Sequence, residues 1–191
     1  MQDNKWAPAV VLVDAAYLDR VAEDLTRNFG RMIGRPISKA DLCHWLDCIA
    51  LDAGLRPGNN ELQVHFLYPK EVKALCYFQP SRFDDDLNGL SFSDNLGRFS
   101  LFAFPVEEVV RTDEFFLQSL TMLADSKEIN HLMVVADMKA YGTEVKKICQ
   151  QTDNKQITLF TMEPTEGDGF RQEILGFSLM AALGINADEL K

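Results

Sequence analysis

The stretch Ala9-Val10-Val11-Leu12-Val13-Asp14-Ala15-Ala16-Tyr17-Leu18 constrains the fold more than any other part of this chain. Val10 to Val13 form a short apolar run suited to a strand buried on both faces. Asp14 follows at once, and a helical period then begins with Leu18, Val21, Ala22, Leu25 and Phe29. A strand that empties into an aspartate at a helix start puts that carboxylate at the C-terminal edge of a sheet. In open α/β sheets ligands bind at that edge.

The remaining pattern extends this unit. Gly30 is a natural C-terminal stop for the first helix. Ser38-Lys39-Ala40-Asp41 resembles a capping box, with Asp in the place of Glu or Gln. Leu42, Trp45, Leu46, Ile49 and Ala50 then fall at amphipathic helical spacing, ended by Gly54 and Pro57. Residues 62–68 read as a strand and 73–78 as a second candidate, with hairpin and loop both open. Residues 79–98 hold Asp84-Asp85-Asp86, Asn88-Gly89 and Asn95-Leu96-Gly97, which are turn formers in a long connection. The aspartate triplet reads as a solvated loop, because consecutive side chains point in different directions.

From Phe99 onward strands and helices alternate with short links. Phe99–Phe104 is a strand, and Thr112-Asp113-Glu114 opens a helix carrying Phe116, Leu120 and Leu123. His131–Ala136 is a strand followed directly by Asp137 and a helix from about Ala140 to Gln151. Gln156–Met162 is a strand, and 170–183 reads as a final apolar helix closed by Gly184. Such alternation signifies βαβ units and a parallel sheet. One domain spanning 1–191 follows, an α/β fold with three layers, α/β/α, around a mostly parallel central sheet.

Bulk properties exclude several classes. A chain of 191 residues, 47% apolar and 25% charged, suits a globular domain with a full core. No apolar run approaches the ~20 residues that span a bilayer, and the N-terminus lacks a secretory layout. A cytoplasmic protein without a membrane partner is expected. Cys43, Cys48, Cys76 and Cys149 form no CxxC pair, and His44, His65 and His131 show no HxxxH or HxH spacing, so no zinc centre is expected. The net charge is −10, and the acids concentrate in the middle third, where residues 61–130 carry 12 acids against 6 bases. Phosphate affinity comes from Lys and Arg, so contact with nucleic acid needs a local basic patch. Residues 25–40 supply one, with Arg27, Arg31, Arg35 and Lys39 and no acid. The same charges also suit a solvated helix C-terminus. No Walker, Rossmann or Gly-x-Ser-x-Gly signature is present.

Three aspartates then share one topological address. Asp14, Asp113 and Asp137 each follow a strand and start a helix, and right-handed crossovers place such junctions on one sheet edge. Asp168, in the loop after the last clear strand, could approach the same edge. Clustered carboxylates hold Mg²⁺ or Mn²⁺, which can activate water and neutralise charge on a phosphodiester. Aspartate is also a favoured N-cap, contributing ~1 kcal/mol, so each acid can equally be explained without chemistry.

The motif Val10-Val11-Leu12-Val13-Asp14-Ala15-Ala16-Tyr17-Leu18 resembles the first motif of NYN domains, a PIN-like ribonuclease group. Thr112-Asp113-Glu114-Phe115 resembles the second acidic motif. Leu132-Met133-Val134-Val135-Ala136-Asp137-Met138-Lys139-Ala140-Tyr141-Gly142 resembles the third, usually a strand followed by Gly-Asp-x-Asp-Phe. The layout agrees over residues 8–165. The resemblance implies a PIN-like fold, an RNA substrate, and Asp14, Asp113 and Asp137 as catalytic metal ligands, and the basic window then offers Arg27, Arg31 and Arg35 to the RNA backbone. The chain departs from the pattern at three places. Tyr17 replaces an Asn, Ala136 replaces a Gly, and Lys139 stands where the third motif has its second Asp. That lysine removes one ligand charge and adds an ammonium.

Two readings follow. One is a divergent ribonuclease using Mg²⁺ or Mn²⁺. The other is a catalytically inactive PIN-like module without a cofactor, in which Lys139 salt-bridges the aspartates. In the second, Phe170, Ile174, Phe177, Leu179, Met180 and Leu183 offer a homodimer surface, although core packing explains the same residues equally well.

Overall fold

In a computed structural model, whose described residues are 6–191, the Val10–Val13 run lies at the centre of the molecule. Strand β1 (Ala9–Asp14) is buried at every position. It pairs in parallel with β3 (Asn60–Pro69) on one side and β7 (His131–Val135) on the other. Flanked by two strands and covered on two faces, a Val or Leu there leaves water completely, a gain of roughly 1.5–3 kcal/mol per side chain. Alternation divides these side chains. Val11 and Val13 enter one core cluster, and Val10 and Leu12 enter another on the opposite face.

Among the described residues the sheet has seven strands in the order β5 (Ser91–Ser93), β6 (Gly97–Val106), β3, β1, β7, β8 (Gln156–Thr161), β9 (Arg171–Ile174). Only the short β5 is antiparallel to its neighbour. Helices α1 (Ala15–Ile33), α2 (Leu42–Asp52) and α5 (Leu175–Ala182) pack on one face, around Leu18, Trp45, Leu46, Leu175 and Leu179. Helices α3 (Thr112–Asp125) and α4 (Met138–Gln150) pack on the other, around Phe116, Leu120, Tyr141 and Val145. The α/β class and the mostly parallel sheet are as the sequence pattern indicates. Starting at β1, the chain builds outward to β3 and β6, then returns through α3 to β7 on the far side. The order therefore reverses between β1 and β7, and their C-terminal ends flank a crevice.

Three elements differ from the sequence reading, and a fourth, left open there, is settled. Helix α1 runs past Gly30 to Gly34, which takes a left-handed conformation and donates its N–H to the Gly30 carbonyl. Asp41, rather than Ser38, caps α2 by accepting from the His44 N–H at 3.1 Å. Residues 73–78 do not form a strand. The Asp19 carboxylate takes the N–H groups of Cys76 and Tyr77 at 2.8 and 2.9 Å, so that segment is tied to α1. Within it Ala74 makes a single antiparallel bridge to Arg82, and β4 (Phe78–Gln79) pairs with β2 (Ala40–Asp41) in a separate two-stranded sheet. Finally, residues 171–174 are strand and not helix. Their side chains are polar apart from Ile174, and the open edge of β8 supplies backbone partners that a helix start would not need.

The 79–98 connection is folded rather than open. A wide helical turn at Phe83–Leu87 buries Phe83 and Leu87, and the Phe83 ring stacks on Tyr68 at 3.9 Å. Within the triplet, Asp84 accepts from the Tyr68 hydroxyl, while Asp85 and Asp86 pair with Arg82.

Candidate functional site

Asp14 ends β1, and Asp137 follows β7 after Ala136, so the two acids stand at the chain-order reversal. Each caps the helix it precedes. Asp14 accepts from the Tyr17 N–H at 3.2 Å, and Asp137 accepts from the Ala140 N–H at 3.2 Å. These are the caps that a strand-Asp-helix pattern favours. Their remaining oxygens are also engaged. The Tyr141 hydroxyl donates to Oδ2 of Asp14 at 2.6 Å, and Arg20 donates from Nη2 to Oδ2 of Asp137 at 2.7 Å.

Tyr141 ties the two junctions together. It sits one turn into α4, where φ −143° and ψ 27° depart from helical values, and its ring packs 5.4 Å from Phe116. The hydroxyl that donates to Asp14 also accepts from the Asp137 N–H at 3.4 Å. Burial raises the Asp14 pKa above the usual carboxylate value, while the Tyr141 and Tyr17 bonds work in the opposite direction. Burial and the Asp14 charge push the Tyr141 phenol well above its ordinary range. Tyr17, facing Asp137 and half-buried, is pushed up to about 12, chiefly by burial. Its ring carries the Arg20 guanidinium 5.5 Å from the centroid.

Asp113 is placed differently. It lies in the first turn of α3, past β6, and β3 intervenes between β6 and β1. Arg111 clamps its carboxylate with two bonds, at 2.7 and 3.2 Å. Among the described residues, no three His, Cys, Asp or Glu side chains are grouped so as to hold a metal ion. The arrangement fits internal pairing better than a shared Mg²⁺ or Mn²⁺, because Tyr141, Arg20 and Arg111 each take the oxygens that a metal would need.

Lys139 does not neutralise the pair, as the inactive-module reading expects. Its side chain is 86% exposed, and its ammonium lies 3.7 Å from Glu163 across the crevice. The cation on Asp137 is Arg20, because one and a half turns of α1 carry residue 20 from the Asp14 cap to the crevice wall. Arg27, Arg31 and Arg35 are remote from the acids. Arg31 lies sixteen residues beyond Ala15, about 24 Å along the helix axis. Arg27 is paired with Glu23, and Arg35 with Glu189 at 2.7 Å and with the Gly184 carbonyl. The Arg35 bond holds the Glu189 carboxyl down to about 2. Asp168 is exposed in the loop before β9.

A cleft of about 540 Å³ opens beside Asp137, between α1, the start of α4 and the end of β8. Tyr17, Arg20 and Asp24 form one wall, Met138 and Lys139 another, and Thr161, Met162 and Glu163 the third. Thr161 is 1% exposed, and its hydroxyl has no partner among the described residues. Sequence reasoning missed Tyr141, Arg20 and Thr161. The first had a usable signal, since Tyr141 stands four residues after Asp137 and so returns to its own helix start. Arg20 and Thr161 had none.

The six residues proposed from sequence as a dimer surface are divided by the fold. Leu179 and Leu183 are buried, Phe170 packs into the α3–α4 core, and Phe177 is 70% exposed. No helix among the described residues is long and apolar enough to cross a membrane. Residues 3–190 match one protein-family model, described as "Family of unknown function (DUF6621)". No curated protein and no solved structure matches the chain.

Proposed function

The chain belongs to the DUF6621 family, and we propose that it is a PIN-like three-layer domain whose acidic edge serves as a binding cleft instead of a ribonuclease centre. One observation carries this reading. The acids of the first and third NYN-like motifs are held by Tyr141 and Arg20, and the acid of the second by Arg111. Each carboxylate is satisfied within the chain. The strand order and the position of Asp14 and Asp137 at its reversal support the PIN-like relationship.

The cleft's chemistry suits a small ligand with an apolar body and hydrogen-bond donors. Asp24, Asp137 and Glu163 outnumber Arg20 and Lys139 on its walls, which disfavours a polyphosphate or an RNA backbone. The Tyr17 ring and the Met138 and Met162 thioethers provide apolar contact. In this reading the protein is cytoplasmic and needs neither Mg²⁺ nor Mn²⁺.

The ribonuclease reading keeps one observation in its favour, the adjacency of Asp14 and Asp137 in the family's order. Incubation with single-stranded RNA and Mn²⁺ separates the two. We expect no cleavage and no rise in melting temperature with Mg²⁺ or Mn²⁺. Metal-dependent cleavage that Asp14→Asn abolishes overturns the binding-cleft proposal and establishes the nuclease.

A further inference from the structure

On the opposite side of the sheet from α4, helix α2 presents a second constellation. His44 and Cys48 are one helical turn apart, and their side chains meet on the outer face, with Nε2 and Sγ 3.8 Å apart. The helix beneath them is firmly set. Trp45, Leu46 and Ile49 are fully buried, and Asp41 caps the first turn through the His44 N–H. His44 is exposed and Cys48 half-buried, so a solute can reach both.

We propose that His44 Nε2 and Cys48 Sγ form a two-residue chelate for a borderline-soft transition-metal ion, Zn²⁺ in the first instance. The separation is the argument. With Zn–N about 2.0–2.1 Å and Zn–S about 2.3 Å, a tetrahedral angle places the two ligand atoms about 3.6 Å apart. The observed gap is within a few tenths of an ångström of that, and opening the angle toward trigonal removes the difference. An imidazole and a thiolate favour zinc or copper(I) over the hard ions Mg²⁺ and Ca²⁺. Two water molecules complete a tetrahedral shell.

The surroundings also favour a cation. From Asp41 to Ala53 the chain carries Asp41, Asp47 and Asp52 and no lysine or arginine. A thiol must lose its proton to bind the metal, so affinity rises with pH. The HxxxC spacing was present in the sequence, but it is neither CxxC nor HxxxH, so a search for those patterns passes over it.

Titration of the reduced full-length chain with Co²⁺ provides the test, because a thiolate ligand produces a near-ultraviolet charge-transfer band. We expect one Co²⁺ per chain, displaced by Zn²⁺. His44→Ala and Cys48→Ser should each weaken binding about tenfold or more, since each removes one arm of the chelate. Cys43→Ser and Cys76→Ser should leave it unchanged. His44 is exposed, so His44→Ala keeps the fold and remains decisive if Cys48→Ser proves unstable. No band in the wild-type chain, unaltered affinity in His44→Ala, or loss of the band in Cys43→Ser overturns the proposal.

Discussion

Replacing Tyr141 by Phe isolates the hydroxyl that holds the two strand ends together. That hydroxyl donates to Asp14 at 2.6 Å, and Asp14 is 6% exposed. The ring is retained, so packing against Phe116 persists and the loss is that of the bond. A hydrogen bond to an ionised group is worth about 1.5–3 kcal/mol. For a chain of this size each kcal/mol shifts the melting temperature by roughly 2–4 °C. Near neutral pH the variant should therefore melt roughly 3–12 °C below the wild type.

The pH dependence is a sharper test. Burial raises the Asp14 pKa above its ordinary value of 3.8. Its contribution to stability is then fully present below that value and is lost as pH rises through the folded pKa. The Tyr141 bond restrains the rise, so Tyr141→Phe moves the folded pKa further up. The stability gap between variant and wild type should be small in acid and widen toward neutral pH. Urea melts at ~pH 4 and ~pH 8 measure it. Equal stability at both values, or a deficit larger in acid, refutes the reasoning.

Burial, then the neighbouring Asp94 carboxyl, pushes Asp47 up to about 7. Its contribution is present below the ordinary value of 3.8 and is lost as pH rises through about 7. Asp47→Asn should flatten that decline, by an amount on the order of 1 kcal/mol once solvent screening is allowed for. Thermal melts across neutrality record it, and an unchanged slope contradicts the assignment. Thr161→Val removes a buried hydroxyl that has no partner among the described residues, so stability should hold or rise slightly; a loss above about 1 kcal/mol in chemical denaturation would show that the hydroxyl is satisfied. Gly97 has φ 151°, and an added Cβ would meet the Asn60 carbonyl oxygen at 2.2 Å. Gly97→Ala should cost about 2–4 kcal/mol through strain and overpacking, read as a lower urea midpoint; near-wild-type stability refutes the close approach of β6 to β3.

Much of the scaffold was legible because local chemistry and tertiary environment agree. The Val10–Val13 run suited a strand buried on both faces, and Asp14 and Asp137 announced helix starts that the structure confirms as caps. Residues 171–174 misled, because an edge strand draws its stability from the β8 ladder and leaves little hydrophobic period of its own. For residues 73–78 the pattern left strand and loop open, and Asp19, 57 residues earlier, decided between them by claiming the backbone N–H of Cys76.

Sequence alone determined that Asp14 and Asp137 would stand at strand-to-helix junctions on one edge of a parallel sheet, since burial patterns and crossover handedness require it. It also placed a lysine beside them. Only the tertiary structure decided which partner each acid takes. Tyr141 reaches Asp14 across 127 residues and Arg20 reaches Asp137 across 117. Such pairings depend on which helix faces meet over the β1–β7 crevice, and residue spacing carries no record of that.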